Sequence, residues 1–182
     1  MPCRLLPLGL LLLCSSTYCS LGCDLNQGIQ KDISLLKQIH TFSLWPCLKD
    51  RTNFSFPRKA MESSQFQGGN VTVMLHEMLQ QIFTLFSLNT APAAWDQTQL
   101  TKLLLGLDQQ MEILERCLGQ EAEWQEPSLV CDHNMLALKS YFQGISQYLQ
   151  AKRYSLCAWE IVWIEIRRLF LFINELTRNH RN

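Results

Sequence analysis

His76-Glu77-Met78-Leu79-Gln80 is the string in this chain that comes nearest to a hydrolytic centre. A zinc protease of that type holds its metal between two histidines one helical turn apart and uses the glutamate between them as a base. Gln80 stands where the second imidazole is needed, so no metal site is assigned and a solvated helix face is expected. Cys131-Asp132-His133 places a thiol, a carboxylate and an imidazole together. No second cysteine–histidine pair lies near it, and a nucleophilic cysteine needs both a base and a group to orient that base. His40, His133 and His180 are expected at helix ends or on the surface. Glu112, Glu115, Glu121 and Glu123 follow helical or linker positions and are expected to be solvated charge. Phosphate loops, nucleophile elbows and dinucleotide fingerprints are missing from the sequence. No catalytic residue, metal or cofactor is assigned, and a secreted helical hydrolase stays only as a formal alternative that an activity screen could revive.

The cysteines need a compartment before they can be interpreted. Arg4 followed by the apolar run Leu5 to Cys14 is too short to cross a bilayer, which takes roughly 20 residues. Ser20 and Gly22 are small residues suited to cleavage after Gly22, so residues 1–22 are expected to be a secretory signal peptide. The remaining residues, 23–182, are the length of one domain. The full chain of 182 residues has no net charge, and no basic patch suggests nucleic acid. No later segment is expected to enter a membrane. Of the eight cysteines, Cys3, Cys14 and Cys19 leave with the signal. Cys23, Cys47, Cys117, Cys131 and Cys157 remain, and an oxidising compartment should pair four of them. Three connectivities are open for four cysteines, and the residues alone do not choose among them. Export also gives meaning to the sequons Asn53-Phe54-Ser55 and Asn70-Val71-Thr72, candidate glycosylation sites at Asn53 and Asn70.

Apolar periodicity predicts five helices and no strands. Leu25, Ile29, Ile33, Leu36 and Ile39 mark the first, over about Leu25 to His40. Thr41 to Gly69 loses the period and holds Pro46, Pro57, Gly68 and Gly69, a long loop of a length that is usually functional. A second helix starts near Asn70 or Thr72, either of which could cap it, and carries Leu75, Met78, Leu79, Ile82, Leu85 and Phe86. The third, about Asp96 to Leu118, has the cleanest stripe: Leu100, Leu103, Leu104, Leu107, Met111, Leu114 and Leu118. Gly106 interrupts it at an expected cost of about 1 kcal/mol relative to alanine. The fourth spans about Asp132 to Lys152, with Met135, Leu138, Phe142, Ile145 and Leu149 aligned. The fifth begins at Cys157 and ends near Arg178, with Trp159, Val162, Trp163, Ile166, Phe170 and Ile173 at helical spacing. Five helices with one long early loop make an all-α bundle.

Several blocks, in order, resemble the type I interferons, in particular their alpha, omega and tau branches. These are Cys47-Leu48-Lys49-Asp50-Arg51 with Phe54 and Phe56-Pro57, then Leu75-His76-Glu77-Met78 with Gln80-Gln81-Ile82-Phe83. Ala93-Ala94-Trp95-Asp96, Tyr141-Phe142-Gln143 and Cys157-Ala158-Trp159-Glu160 complete the set. The resemblance implies the up-up-down-down helical cytokine bundle and the pairs Cys23–Cys117 and Cys47–Cys157. Each bridge would close a loop of roughly 100 residues, which the chain-entropy account values at about 4–5 kcal/mol. Cys131 is outside the family pattern. A buried or capped thiol is preferred to a dimer link, so a monomer is expected, with a Cys131-linked dimer as the other state.

The resemblance implies a non-enzymatic function: a secreted cytokine that bridges two different interferon receptor chains and triggers JAK–STAT antiviral signalling. The high-affinity chain would meet the long loop and last helix, through Leu48, Arg51, Trp163, Arg167 and Arg168. Trp163 stands where the alpha branch carries arginine, and exposed beside Leu171 and Phe172 it would form an apolar patch. The low-affinity chain would meet the second to fourth helices, through Phe83, Leu104, Asp108 and Lys139. Leu104 and Asp108 replace tyrosines common in the family. The alternative is therefore an interferon-derived weak agonist or antagonist that engages only one receptor chain.

Overall fold

The computed structural model describes residues 25–39, 45–62, 69–88, 90–121 and 129–179, except the side chains of 69, 70, 120, 121, 129–132 and 179. Among them regular structure is entirely helical: α1 (Asn26–Ile39), a 3₁₀ turn (Trp45–Asp50), α2 (Arg58–Met61), α3 (Gly69–Ser87), α4 (Gln97–Glu121), α5 (Leu129–Ala151) and α6 (Leu156–Asn179). The five long helices match the five predicted. The long loop is more ordered than its broken periodicity suggests, since the 3₁₀ turn and α2 lie within it. Short helices of this kind bury too few side chains to leave a stripe in the sequence. α3 starts at Gly69, ahead of Thr72, so both proposed cap residues lie inside the helix.

Local chemistry sets the helix starts. The Asp96 carboxylate accepts from the backbone N–H of Thr98 at 2.9 Å and of Gln99 at 3.0 Å, capping α4. Ser155 Oγ accepts from the Ala158 N–H at 3.3 Å at the start of α6. The apolar stripes then assemble one core: Ile29, Met78, Leu79, Ile82, Leu103, Leu107, Leu138, Ile145, Leu149, Val162, Ile166 and Phe170 are all fully buried. Each such side chain contributes roughly 1.5–3 kcal/mol when taken from water.

Cross-helix contacts give the directions. The end of α1 meets the start of α4 where the Asp96 N–H donates to the Ile39 carbonyl at 3.3 Å. Further along, Asp32 of α1 meets Gln110 of α4, so these helices are antiparallel. His76 with Glu115 and Phe86 with Trp95 make α3 antiparallel to α4 as well. Trp95 also lies beside Trp159 at the start of α6. Thus α1 and α3 run one way and α4 and α6 the other, while α5 returns against α6. This is the up-up-down-down arrangement, and the segment between α1 and α3 must travel the length of the bundle.

A close approach explains Gly106. A Cβ there would sit 2.8 Å from Asp32 Oδ1, and one at Gly28 would sit 3.0 Å from the Gln110 side chain. The two glycines let α1 and α4 enclose a buried Asp32–Gln110 pair, in which Gln110 Nε2 donates to Asp32 Oδ2. Burial pushes the Asp32 carboxyl up to about 7, against the opposing effects of Gln110 and of the Lys31 charge.

Candidate functional site

The segment from Cys47 to Glu62 is a strap along the seam between α5 and α6. Cys47 is buried and bonded to Cys157 at the head of α6. At the tail of α5, Tyr148 donates to the Asp50 carbonyl at 2.8 Å, and Lys152 pairs with the Asp50 carboxylate at 2.9 Å. Burial and the Asp50 charge raise the Tyr148 phenol, which keeps it a donor. Phe54 packs edge-on against Tyr148, and Phe56 against both Tyr141 and Phe172. Arg58 lies over the Phe172 ring and pairs with Glu175 at 2.9 Å. A hydrogen bond to Glu62 raises the Arg58 guanidinium above its ordinary range. Positions 47 to 58 therefore climb beside positions 157 to 175 in the same direction. Eighteen helical residues rise about 27 Å, which eleven strap residues can span at up to ~36 Å.

This path turns particular side chains outward. In the 3₁₀ turn, Trp45 is 81% exposed and Leu48 50% exposed, and Arg51 just beyond it is exposed. On α6, Arg167 and Arg168 are exposed, and Arg168 reaches Glu165 only at 3.7 Å. A cleft of about 350 Å³ opens where the strap crosses the helices, with Asn53, Ser55 and Arg58 on one side and Tyr141, Glu165 and Arg168 on the other. Tyr141 donates to Glu165 at 3.0 Å. Burial first, and the Glu165 charge second, raise the Tyr141 phenol well above its usual range, so it stays protonated. The strap thus runs beside the part of α6 that carries Arg168, with Asn53, Ser55 and Arg58 facing the same cleft.

Trp163 is not on that surface. It is 1% exposed, with ring centroids 4.9 Å from Trp95 and 5.9 Å from Phe86. Phe172 is also buried, and of the anticipated patch only Leu171, at 57%, is exposed. The predicted apolar patch at Trp163 is therefore corrected: its place in the Trp159-to-Ile173 stripe decides its orientation. Trp45 is the exposed aromatic that the sequence reading missed. Its signal was a tryptophan before Pro46 in a segment with no apolar period to bury it.

The second set of residues is distributed over α3, α4 and α5. Phe83 lies on α3 and Leu104 on α4. Both are partly buried against the core. Asp108 and Lys139 are exposed, and so are Leu88, Leu105 and Leu136. His76 departs from its expected solvated position. Its side chain is 20% exposed and meets Glu115 at 2.9 Å, tying α3 to α4. Among the described residues no group of three or more His, Cys, Asp or Glu could hold a metal ion, and no helix is long and apolar enough to cross a membrane.

Of the expected bridges, Cys47–Cys157 is formed across a separation of 110 residues. Cys117 is also disulfide-bonded; its expected partner Cys23 lies outside the described residues, as do the side chains of Cys131 and Asn70.

An all-helical bundle in this up-up-down-down order is the form of a helical cytokine. The same fold occurs in the solved structures of zebrafish interferon 2 (TM-score 0.73, 23% identity, 82% of this chain and 96% of that one) and zebrafish interferon 1 (TM-score 0.66, 17% identity, 84% and 94%). Residues 21–180 match the family model "Interferon alpha/beta domain". Interferon alpha-16 of Homo sapiens is 42% identical over 96% of this chain and 94% of its own length. Interferon alpha-3 of Equus caballus is 45% identical over 93% and 94%. The chain belongs to the interferon alpha/beta family and is a type I interferon cytokine, not an enzyme.

Proposed function

We propose that residues 1–22 direct export and that residues 23–182 bridge two different interferon receptor chains, triggering JAK–STAT antiviral signalling. The observation that carries this reading is the strap. It holds Leu48 and Arg51 exposed, and Arg168, exposed on α6 next to the exposed Arg167, lines the cleft beside the strap. These four, with Trp45 beside them, are assigned to the high-affinity chain. Exposed arginine and tryptophan are the side chains that most often dominate binding energy at protein interfaces. Arg51 offers a planar fork of donors suited to carboxylates. Trp163 is left out because its ring is in the core. Phe83, Leu104, Asp108 and Lys139 are assigned to the low-affinity chain. No observation favours an antagonist that engages one chain alone.

The test is an interferon-response reporter in cells of the source species, treated with refolded residues 23–182. A response abolished by receptor-blocking antibody is expected. Silence from folded, disulfide-paired protein would overturn the reading.

A further inference from the structure

The strap that presents this face also carries a sequon, and its geometry ties a modification to the binding surface. Asn53 is exposed and belongs to a stretch, residues 51–57, without helix or strand. Its carboxamide oxygen accepts from the Ser55 N–H at 2.9 Å. Ser55 is held at φ 56°, in the left-handed region, so this bend is a defined feature of the strap. Asn53 Nδ2, the atom that would carry a sugar, makes no hydrogen bond among the described residues, and Ser55 is exposed. Both residues line the cleft that contains Arg168 and Glu165. Asn53 is also two residues from Arg51, which is ~7 Å along an extended chain.

We propose that Asn53 is N-glycosylated and that the glycan acts as a brake on the high-affinity receptor face. The inference rests on the assignment of that face above. In the transfer, Nδ2 attacks the anomeric carbon of a lipid-diphosphate-linked oligosaccharide, the donor of the secretory pathway. An N–C bond forms, the C–O bond to the diphosphate breaks, and the lipid diphosphate leaves with that electron pair. The Nδ2 proton passes to a base of the transferase. The attached sugar starts at the cleft that Arg168 lines, two residues along the strap from Arg51. A hydrated, mobile chain there reduces the fraction of encounters in which a receptor surface can seat on both arginines, so the association rate falls.

The experiment compares three preparations for binding to the high-affinity receptor ectodomain by surface plasmon resonance. These are wild-type protein secreted from mammalian cells, the same sequence refolded from bacteria, and secreted S55A. S55A removes the sequon but keeps Asn53 and its contact with the backbone N–H of residue 55. Peptide mass mapping reads occupancy at Asn53 directly, and N70Q removes any contribution from Asn70. The expected result is an occupied Asn53 and about ten-fold or tighter binding by the bacterial protein and by S55A, mainly through faster association, with N70Q like the secreted wild type. An unmodified Asn53 in secreted protein overturns the proposal, as does equal affinity with and without the glycan. If the bare protein fails to bind, the receptor assignment itself falls and the brake falls with it. Equal binding by all forms removes the brake alone.

Discussion

Gly106 carries two opposite instructions. Helix propensity alone says that Gly106→Ala should stabilise α4 by about 1 kcal/mol. The structure says otherwise, because the new methyl would meet Asp32 Oδ1 at 2.8 Å with α1 behind it. Gly106→Ala is expected to destabilise the protein by roughly 1–3 kcal/mol, the usual cost of overpacking. Chemical denaturation midpoints measure this, and in an Asp32→Ala background the same change should become neutral or stabilising. A wild-type stability gain from Gly106→Ala would contradict the close approach. Asp32 itself makes stability depend on pH. Its folded value of about 7 lies above the ordinary 3.8, so the folded state holds the proton more tightly than the unfolded chain. The associated stability is complete below about pH 4 and is lost as pH rises through 7, by at most about 4 kcal/mol. Thermal unfolding between pH 4 and pH 8 should show a higher Tm on the acid side, with Asp32→Asn flattening the profile. An unchanged profile in that variant would assign the dependence to other groups. The sequence shows that Gly106 interrupts a stripe, but not why, because the partner that excludes a side chain is 74 positions away in another helix.

At the scale of elements, the strap depends on its anchors more than on its own propensity. Cys47–Cys157 closes a loop of 110 residues. A Cys47→Ser/Cys157→Ser variant is expected to lose up to about 4–5 kcal/mol through the larger entropy of its unfolded chain. It should also bind the high-affinity receptor chain more weakly, because the 3₁₀ turn loses its covalent tie to α6. Calorimetry and receptor binding together test this; native affinity in the unbridged protein would show that Tyr148, Lys152 and the phenylalanines hold the strap unaided. All five long helices were legible because each buries a continuous face, and a buried face leaves a period of 3.6 in the residues. The strap left no such record. It packs one residue at a time, Phe54 on Tyr148 and Phe56 between Tyr141 and Phe172. Its outward residues could be named only through resemblance. Trp163 shows the reverse: its correspondence to an arginine of the alpha branch pointed to the surface, whereas its place in the α6 stripe pointed to the core. The stripe was right, because a core position is set by helix geometry whatever residue relatives carry there.

For the whole molecule, core and surface substitutions should separate cleanly. Trp163→Ala is expected to cost about 3–5 kcal/mol of stability by emptying space beside Trp95 and Phe86. Arg51→Ala and Arg168→Ala should leave Tm within about a degree while weakening receptor binding, since neither exposed side chain supports the fold. A large Tm loss from either arginine variant would instead make it structural. The aromatic layout that separates these outcomes also divides the protein's light emission. Trp95, Trp159 and Trp163 are each at most 2% exposed, whereas Trp45 is 81% exposed at the strap. In a Trp124→Phe background, aqueous iodide should extinguish the red-shifted emission of Trp45 and leave the blue-shifted light of the buried three. A receptor chain that docks on the 3₁₀ turn would remove that quenchable fraction, so the unlabelled cytokine would report its own occupancy optically.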